Sequence, residues 1–174
     1  MGSLFDGSGG FPLSALIAGI EPIWASEIEP FPIQVTTKRF PTMRHLGSIT
    51  EIDGGEIEAV DVISMGSPCQ DLSIAGKREG LVEGKRSSLF FEALRIIHQM
   101  REKTNGEKPR YIVWENVTGA LNSSKGKDFR AVIEGITRIK YPEVSIPECE
   151  KWTGSGLIMK NDFSLAWRVL NAQY

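Results

Sequence analysis

The sequence predicts an α/β fold, a mostly parallel β-sheet with helices on both faces. Two observations predict it. Short apolar runs bounded by glycine or proline alternate with longer stretches at helical spacing, and the first of those runs ends in a glycine-rich turn. Residues 3–5, 23–26, 60–65 and 111–114 read as buried strands. Residues 13–18, 31–39, 88–103 and 128–139 read as the crossover helices, the third with Leu89, Ala93, Leu94, Ile97 and Met100 on one face. Residues 141–162 carry two prolines, Gly154 and Gly156 and no period, so they read as a surface excursion before a strand at 163–170. No internal repeat or low-complexity tract interrupts this order.

Bulk composition bounds the function. A chain of 174 residues that is 41% hydrophobic and 24% charged has the make-up of one globular domain, residues 1–174, with a sizeable core. Its formal charge of -2 excludes the basic field of a stand-alone nucleic-acid binder, so any contact with a phosphate backbone must be local. Cys69 and Cys149 lie far apart, and neither has the neighbours of a metal site, so no metal is expected and both read as reduced thiols in a cytoplasm. No apolar run approaches the roughly 20 residues that cross a bilayer, and Met1-Gly2-Ser3 opens no signal peptide. A soluble, unexported protein with no membrane partner is expected.

Phe5-Asp6-Gly7-Ser8-Gly9-Gly10-Phe11 places three glycines where the first strand turns into the first helix, the edge at which doubly wound sheets bind ligands. Missing side chains let backbone approach a ligand. Pro12 stands where the dinucleotide fingerprint has its third glycine, which disfavours a nicotinamide or flavin cofactor. A tight turn without a ligand is the plainer alternative. Glu27, about 20 residues on at the end of the second strand, is where an acid commonly accepts hydrogen bonds from ribose hydroxyls. Turn and acid together favour an adenosine-containing cofactor over a merely solvated carboxylate.

The strand at 60–65 runs into Gly66-Ser67-Pro68-Cys69-Gln70, so Cys69 belongs to the ligand-binding edge, where a core cysteine would more often sit inside the strand. The residues that follow, 71–86, are punctuated by Gly76, Gly80 and Gly84 and carry Lys77, Arg78, Lys85 and Arg86, a basic segment in an acidic chain that suits a phosphate backbone. An inert cysteine and a solvated charged loop are the alternatives. Trp114-Glu115-Asn116 repeats the geometry: an apolar strand delivers a carboxylate and an amide to the same edge, though a capping or salt-bridged acid would look alike. His45 and His98 have no motif around them and read as structural.

In this order the segments FDGSGGF, SE, GSPCQ, LSIAGKR, SSLFFE and WENV make the chain resemble the DNA (cytosine-5) methyltransferase family over nearly its whole length. The resemblance reaches WRVLNAQY at 167–174, which in that family leads into an arginine-rich segment, a target-recognition domain and a final cofactor-contacting helix; the chain thus reads as the N-terminal catalytic portion, cut before them. It implies a Rossmann-like S-adenosylmethionine-dependent methyltransferase fold, incomplete at its C-terminal side, whose last strand would be an exposed apolar edge inviting association. It implies S-adenosyl-L-methionine as cofactor, with Phe5, Asp6, Gly7, Gly9, Gly10 and Phe11 around the methionine and sugar and Glu27 on the ribose. Ile28 and Ile49 would meet the adenine, and Gly66 and Leu89 would complete the pocket. Ser48 stands where the family commonly has an aspartate facing the adenine amino group, which implies an uncharged and weaker contact.

The implied partner is double-stranded DNA with a flipped cytosine. Thiolate addition from Cys69 to C6 would make C5 nucleophilic, Glu115 would carry a proton to N3, Pro68 and Asn116 would shape the site, and Gln70, Ser73, Lys77, Arg78 and Arg86 would hold the DNA. The implied setting is the cytoplasm of a bacterial or phage-infected cell, in a restriction-modification or phage system. Two other readings remain open: a cofactor-binding fragment or one half of a split enzyme that needs a separate C-terminal half or partner chain, and a tRNA cytosine-5 methyltransferase.

Overall fold

The computed structural model describes residues 1–67 and 89–171. The described residues of the expected single domain fall into two compact units, 1–67 with 89–116 and 117–171.

The first unit holds a five-stranded sheet: β1 (Gly2–Leu4), β2 (Trp24–Ser26), β3 (Arg44–His45), β4 (Val62–Met65) and β5 (Tyr111–Trp114). All neighbours are parallel, in the order β3-β2-β1-β4-β5. The connections carry α1 (Gly10–Ile17), α2 (Pro30–Arg39) and α3 (Leu89–Lys103). From β1 the chain steps through β2 to β3 in one direction, and from β4 to β5 in the other. Right-handed crossovers therefore put α1 and α2 on one face and α3 on the other. The direction reverses between β1 and β4, which is where such sheets open a crevice at the carboxyl ends of their strands.

Local sequence explains these elements. β1, β2 and most of β4 are buried, as the apolar runs of a covered parallel sheet should be. β1 ends at Leu4, one residue earlier than expected, because Phe5 already turns with φ 58°. Pro30 pre-sets the first turn of α2, and Lys38 and Arg39 complement its last turn. In α3 the buried stripe is Phe90, Ala93, Ile96, Ile97 and Met100; Leu89 and Leu94, expected on that face, lie on its half-buried flanks. β3, two residues long, was too short to show a period.

The second unit pairs α4 (Lys127–Arg138) with an antiparallel hairpin of β6 (Ser155–Lys160) and β7 (Phe163–Arg168). Two expectations are corrected here. The stretch 141–162 is not irregular throughout, since its last third is β6, and the strand after it is not an edge of the parallel sheet but the partner of β6. The missed signal was Asn161-Asp162, a two-residue hairpin turn in which Asn161 takes φ 45°. Lys140 and the Tyr141 hydroxyl both bond Asp162 and tie that turn down. Gly156 bears no Cβ because the Trp167 ring lies against it. Phe129, Trp152 and Trp167 then meet edge-on at 5.3–5.7 Å. Among the described residues, no helix is long and apolar enough to cross a membrane.

Candidate functional site

Every described residue expected in the site lies at or beside the carboxyl ends of the strands of the first unit, except Leu89, which opens α3. Phe5 to Phe11 form the turn from β1 into α1. Its backbone is left-handed at Phe5, Gly7 and Gly9, with Gly9 capping the helix at φ 89°. A methyl group on Gly9 would also sit 2.8 Å from the Phe40 ring, so glycine is required there twice over. Gly7 and Gly10 face open space: among the described residues, no atom beyond their chain neighbours and their own helix backbone lies within 4 Å of where a Cβ would stand.

Glu27 anchors this turn. One carboxylate oxygen accepts the Gly7 N–H at 2.8 Å, and the other accepts the N–H groups of Ile28 at 2.7 Å and Glu29 at 3.0 Å. The oxygen facing Gly7 keeps acceptor capacity for a further hydroxyl. Asp6 behaves differently from its expected place along the ligand. Its side chain is 5% exposed and turns back into the protein, where one oxygen accepts the Ser3 hydroxyl at 2.7 Å. Burial pushes this carboxyl above the usual range, and Glu27 adds to the effect; the Ser3 hydrogen bond and His45 oppose it.

Ile28 is 66% exposed and free to meet a ligand, whereas Ile49, 5% exposed, already belongs to the core. Ser48 caps the short 3-10 turn at residues 49–51 and shares a 2.8 Å hydrogen bond with the Thr50 hydroxyl. Sequence reading missed the residue that fixes this wall. Arg95 on α3 donates to the carbonyls of Ile49 at 3.1 Å and Ile52 at 2.8 Å, and is itself held by Glu92 and Gln99. Only a contact between residues over 40 apart reveals it, so no local signal could have found it.

At the far side of the crevice, β4 and β5 deliver their ends together. The position of a Cβ on Gly66 would lie 3.4 Å from a Glu115 carboxylate oxygen and 3.7 Å from the Phe11 ring, so the glycine turn, the β4 end and Glu115 converge. Ser67, also missed, locks the two strand ends: its hydroxyl accepts the Trp114 indole N–H at 3.1 Å and its carbonyl accepts the Asn116 amide at 2.9 Å. Its presence beside Pro68 and Cys69 was the available signal. Pro68, Cys69, Gln70, Ser73, Lys77, Arg78 and Arg86 lie outside the described residues.

A family model described as C-5 cytosine-specific DNA methylase matches residues 1–146. The chain belongs to this methylase family. A type II methyltransferase, M.NgoFVII of Neisseria gonorrhoeae, is 33% identical over 141 residues, covering 80% of this chain and 36% of that protein. A protein of Escherichia phage P1 named as a DNA N-6-adenine-methyltransferase is 34% identical over 181 residues, covering 90% of this chain and 24% of that protein. The chain thus spans about a quarter to a third of the length of these relatives. Among solved structures, a DNA modification methyltransferase encoded in an E. coli prophage superposes with a TM-score of 0.55 and 20% identity, over 78% of this chain and 37% of that one, a likeness of fold.

Proposed function

We propose that this member of the methylase family carries the cofactor-binding and nucleophile-bearing portion of an enzyme that methylates cytosine C5 in duplex DNA. The observation that carries the reading is the convergence of Glu115 with Gly66 and Phe11, just ahead of Pro68-Cys69 in the chain. It supports a thiol and a carboxylate serving one pocket whose other wall is a glycine turn.

The described residues fit S-adenosylmethionine. The open positions at Gly7 and Gly10 admit its backbone-facing parts, Glu27 has an oxygen left for a ribose hydroxyl, and the exposed Ile28 offers an apolar face to the adenine. The cofactor, when bound, supplies an electrophilic methyl group. Cytosine C5 alone is too weak a nucleophile to take it. The Cys69 thiolate adds to C6, Glu115 passes a proton to N3 as negative charge develops there, and the resulting enamine carbon C5 becomes the attacking atom. Loss of the C5 proton then expels the thiolate. Asn116, held on the Ser67 carbonyl, orients Glu115's strand end, and Gln70, Ser73, Lys77, Arg78 and Arg86 hold DNA whose cytosine has left the stack. An adenine N6 amine attacks a methyl group directly and needs neither thiolate nor N3 proton, so the Glu115 geometry favours cytosine over the adenine named for the phage P1 relative. The relatives, from a bacterium and a bacteriophage, favour a bacterial or phage-infected cytoplasm.

Duplex DNA carrying 5-fluorocytosine traps the enzyme because fluorine cannot leave as a proton. Incubated with S-adenosylmethionine, the chain should show a covalent adduct by intact mass that Cys69→Ala abolishes. An adduct on fluorocytosine tRNA alone would move the substrate to RNA. No adduct despite normal cofactor binding would favour a cofactor-binding half that works with a partner chain.

A further inference from the structure

Just past the carboxyl end of β3 the chain sets two hydroxyls side by side. The Leu46 N–H donates to the Ala25 carbonyl at 2.9 Å and the Ser26 hydroxyl donates to the Gly47 carbonyl at 2.8 Å. The chain leaving β3 therefore runs level with the end of β2, where Glu27 stands. Ile49 then turns into the core, 5% exposed. On either side of it, Ser48 is half-buried and Thr50 exposed, and their hydroxyl oxygens lie 2.8 Å apart. α3 fixes the turn that carries them. Arg95 bonds the Ile49 carbonyl, Gln99 accepts the Gly54 N–H at 2.9 Å, and Gly54 lies so close to the Ile96 carbonyl that no Cβ fits there. The two hydroxyls are thus held together before any ligand arrives.

Proton counting gives the pair its chemistry. The Ser48 oxygen accepts the Thr50 N–H at 3.4 Å, and one hydroxyl proton lies between the two side chains, supplied by either of them. If Ser48 supplies it, a Ser48 lone pair is left to accept from a ligand and the Thr50 O–H is left to donate. If Thr50 supplies it, both Ser48 lone pairs are filled, so the Ser48 O–H donates and the Thr50 oxygen accepts. Rotation of two hydroxyls interconverts these arrangements. The pair offers one donor and one acceptor, in either order.

We propose that the Ser48–Thr50 hydroxyl pair meets the polar edge of the cofactor's purine and reads it without preference between a 6-amino and a 6-oxo group. The proposal rests on the reading of the glycine turn and Glu27 as the S-adenosylmethionine site. With the ribose on Glu27, the strand order gives the rest of the nucleoside two neighbours. One is the glycine turn after β1, which takes the amino-acid side; the other is the end of β3, one strand spacing of about 4.8 Å away. The base therefore extends toward β3, with its ring against the exposed Ile28 and its polar edge toward the hydroxyls. Adenine presents a donor at its 6-amino group and an acceptor at N1, whereas hypoxanthine presents an acceptor at O6 and a donor at N1. The two arrangements of the pair match these two edges. A carboxylate, which only accepts, would turn away the 6-oxo oxygen.

Calorimetry on the full chain compares S-adenosylhomocysteine with its deaminated counterpart, S-inosylhomocysteine. The two dissociation constants should agree within about fivefold, because each edge makes the same number of neutral hydrogen bonds. Ser48→Asp keeps an acceptor for the Thr50 N–H, since aspartate caps such a turn as well as serine does, and adds a charge to the pair. That variant should bind S-adenosylhomocysteine at least about tenfold more tightly than S-inosylhomocysteine, through a charge-assisted bond to the one and oxygen–oxygen repulsion toward the other. Its circular dichroism should match that of the parent chain. A wider gap in the parent chain, or a Ser48→Asp variant that binds with the parent's ratio, overturns the hydroxyl pair as the reader of the base and leaves the cofactor reading standing. If the parent chain binds neither ligand, the cofactor reading itself fails and the inference falls with it.

Discussion

Glu27 holds three backbone N–H groups with two oxygens, so its charge and its second oxygen both matter. Glu27→Gln leaves one oxygen and no charge for those donors, a loss of about 1–3 kcal/mol for hydrogen bonds to an ionised acceptor. The measured outcome should be S-adenosylhomocysteine binding weakened by roughly 10- to 100-fold at unchanged helix content, as that energy range implies. Asp6 gives a second prediction, in stability. Its folded-state pKa is raised chiefly by burial, so the stability tied to its protonated form is present below the unfolded value and is lost as pH climbs through the folded one. Asp6→Asn should therefore raise the melting temperature at pH 7 and leave it nearly unchanged at pH 3, as followed by circular dichroism. A fall at pH 7 would mean that the ionised carboxylate stabilises the turn.

Among the elements, α1 joins the site to the fold. Gly9→Ala would combine a left-handed φ of 89° with a methyl group against Phe40 and Thr36, a strain of about 1–3 kcal/mol, visible as a lower urea midpoint together with lost cofactor binding. The same helix exposes Leu13, Leu16 and Ile17 at 46–80%, an apolar surface that water does not favour. Ile17→Glu should reduce self-association in a sedimentation experiment without touching the turn. How far such elements are legible in a sequence depends on what defines them. β4, β5, α2 and α3 announced themselves because each has a period or an apolar run of its own, and Gly7, Glu27 and Glu115 because strand ends and glycine turns have fixed offsets. The short β3 has no room for a period, and β6 was hidden because Gly156 and its neighbours resemble a loop until the cross-strand Trp167 is known. Ser67 and Arg95 act by bonds to partners 43 to 49 residues away, which no local pattern encodes.

For the molecule as a whole, 20 basic residues against 22 acidic ones leave no long-range attraction for a polyanion. Unspecific duplex binding by this chain alone should be weaker than about 10⁻⁴ M at physiological salt, the loose end for proteins that do carry a basic field, as fluorescence anisotropy can measure. A dissociation constant in the micromolar range would show that the basic segment at 77–86 suffices by itself. The guanidinium of Arg95 bears on the history of the molecule as well as its shape. By bonding the carbonyls at both ends of the 49–52 segment from a helix more than 40 residues later, it makes that segment's order conditional on a long loop having closed. The 49–52 segment should therefore order no earlier than α3, and its amide protons should exchange with solvent no more slowly than those of that helix. Any ligand that requires this finished segment would then select the completed chain from its partly folded precursors, and its binding would double as a reporter of maturation.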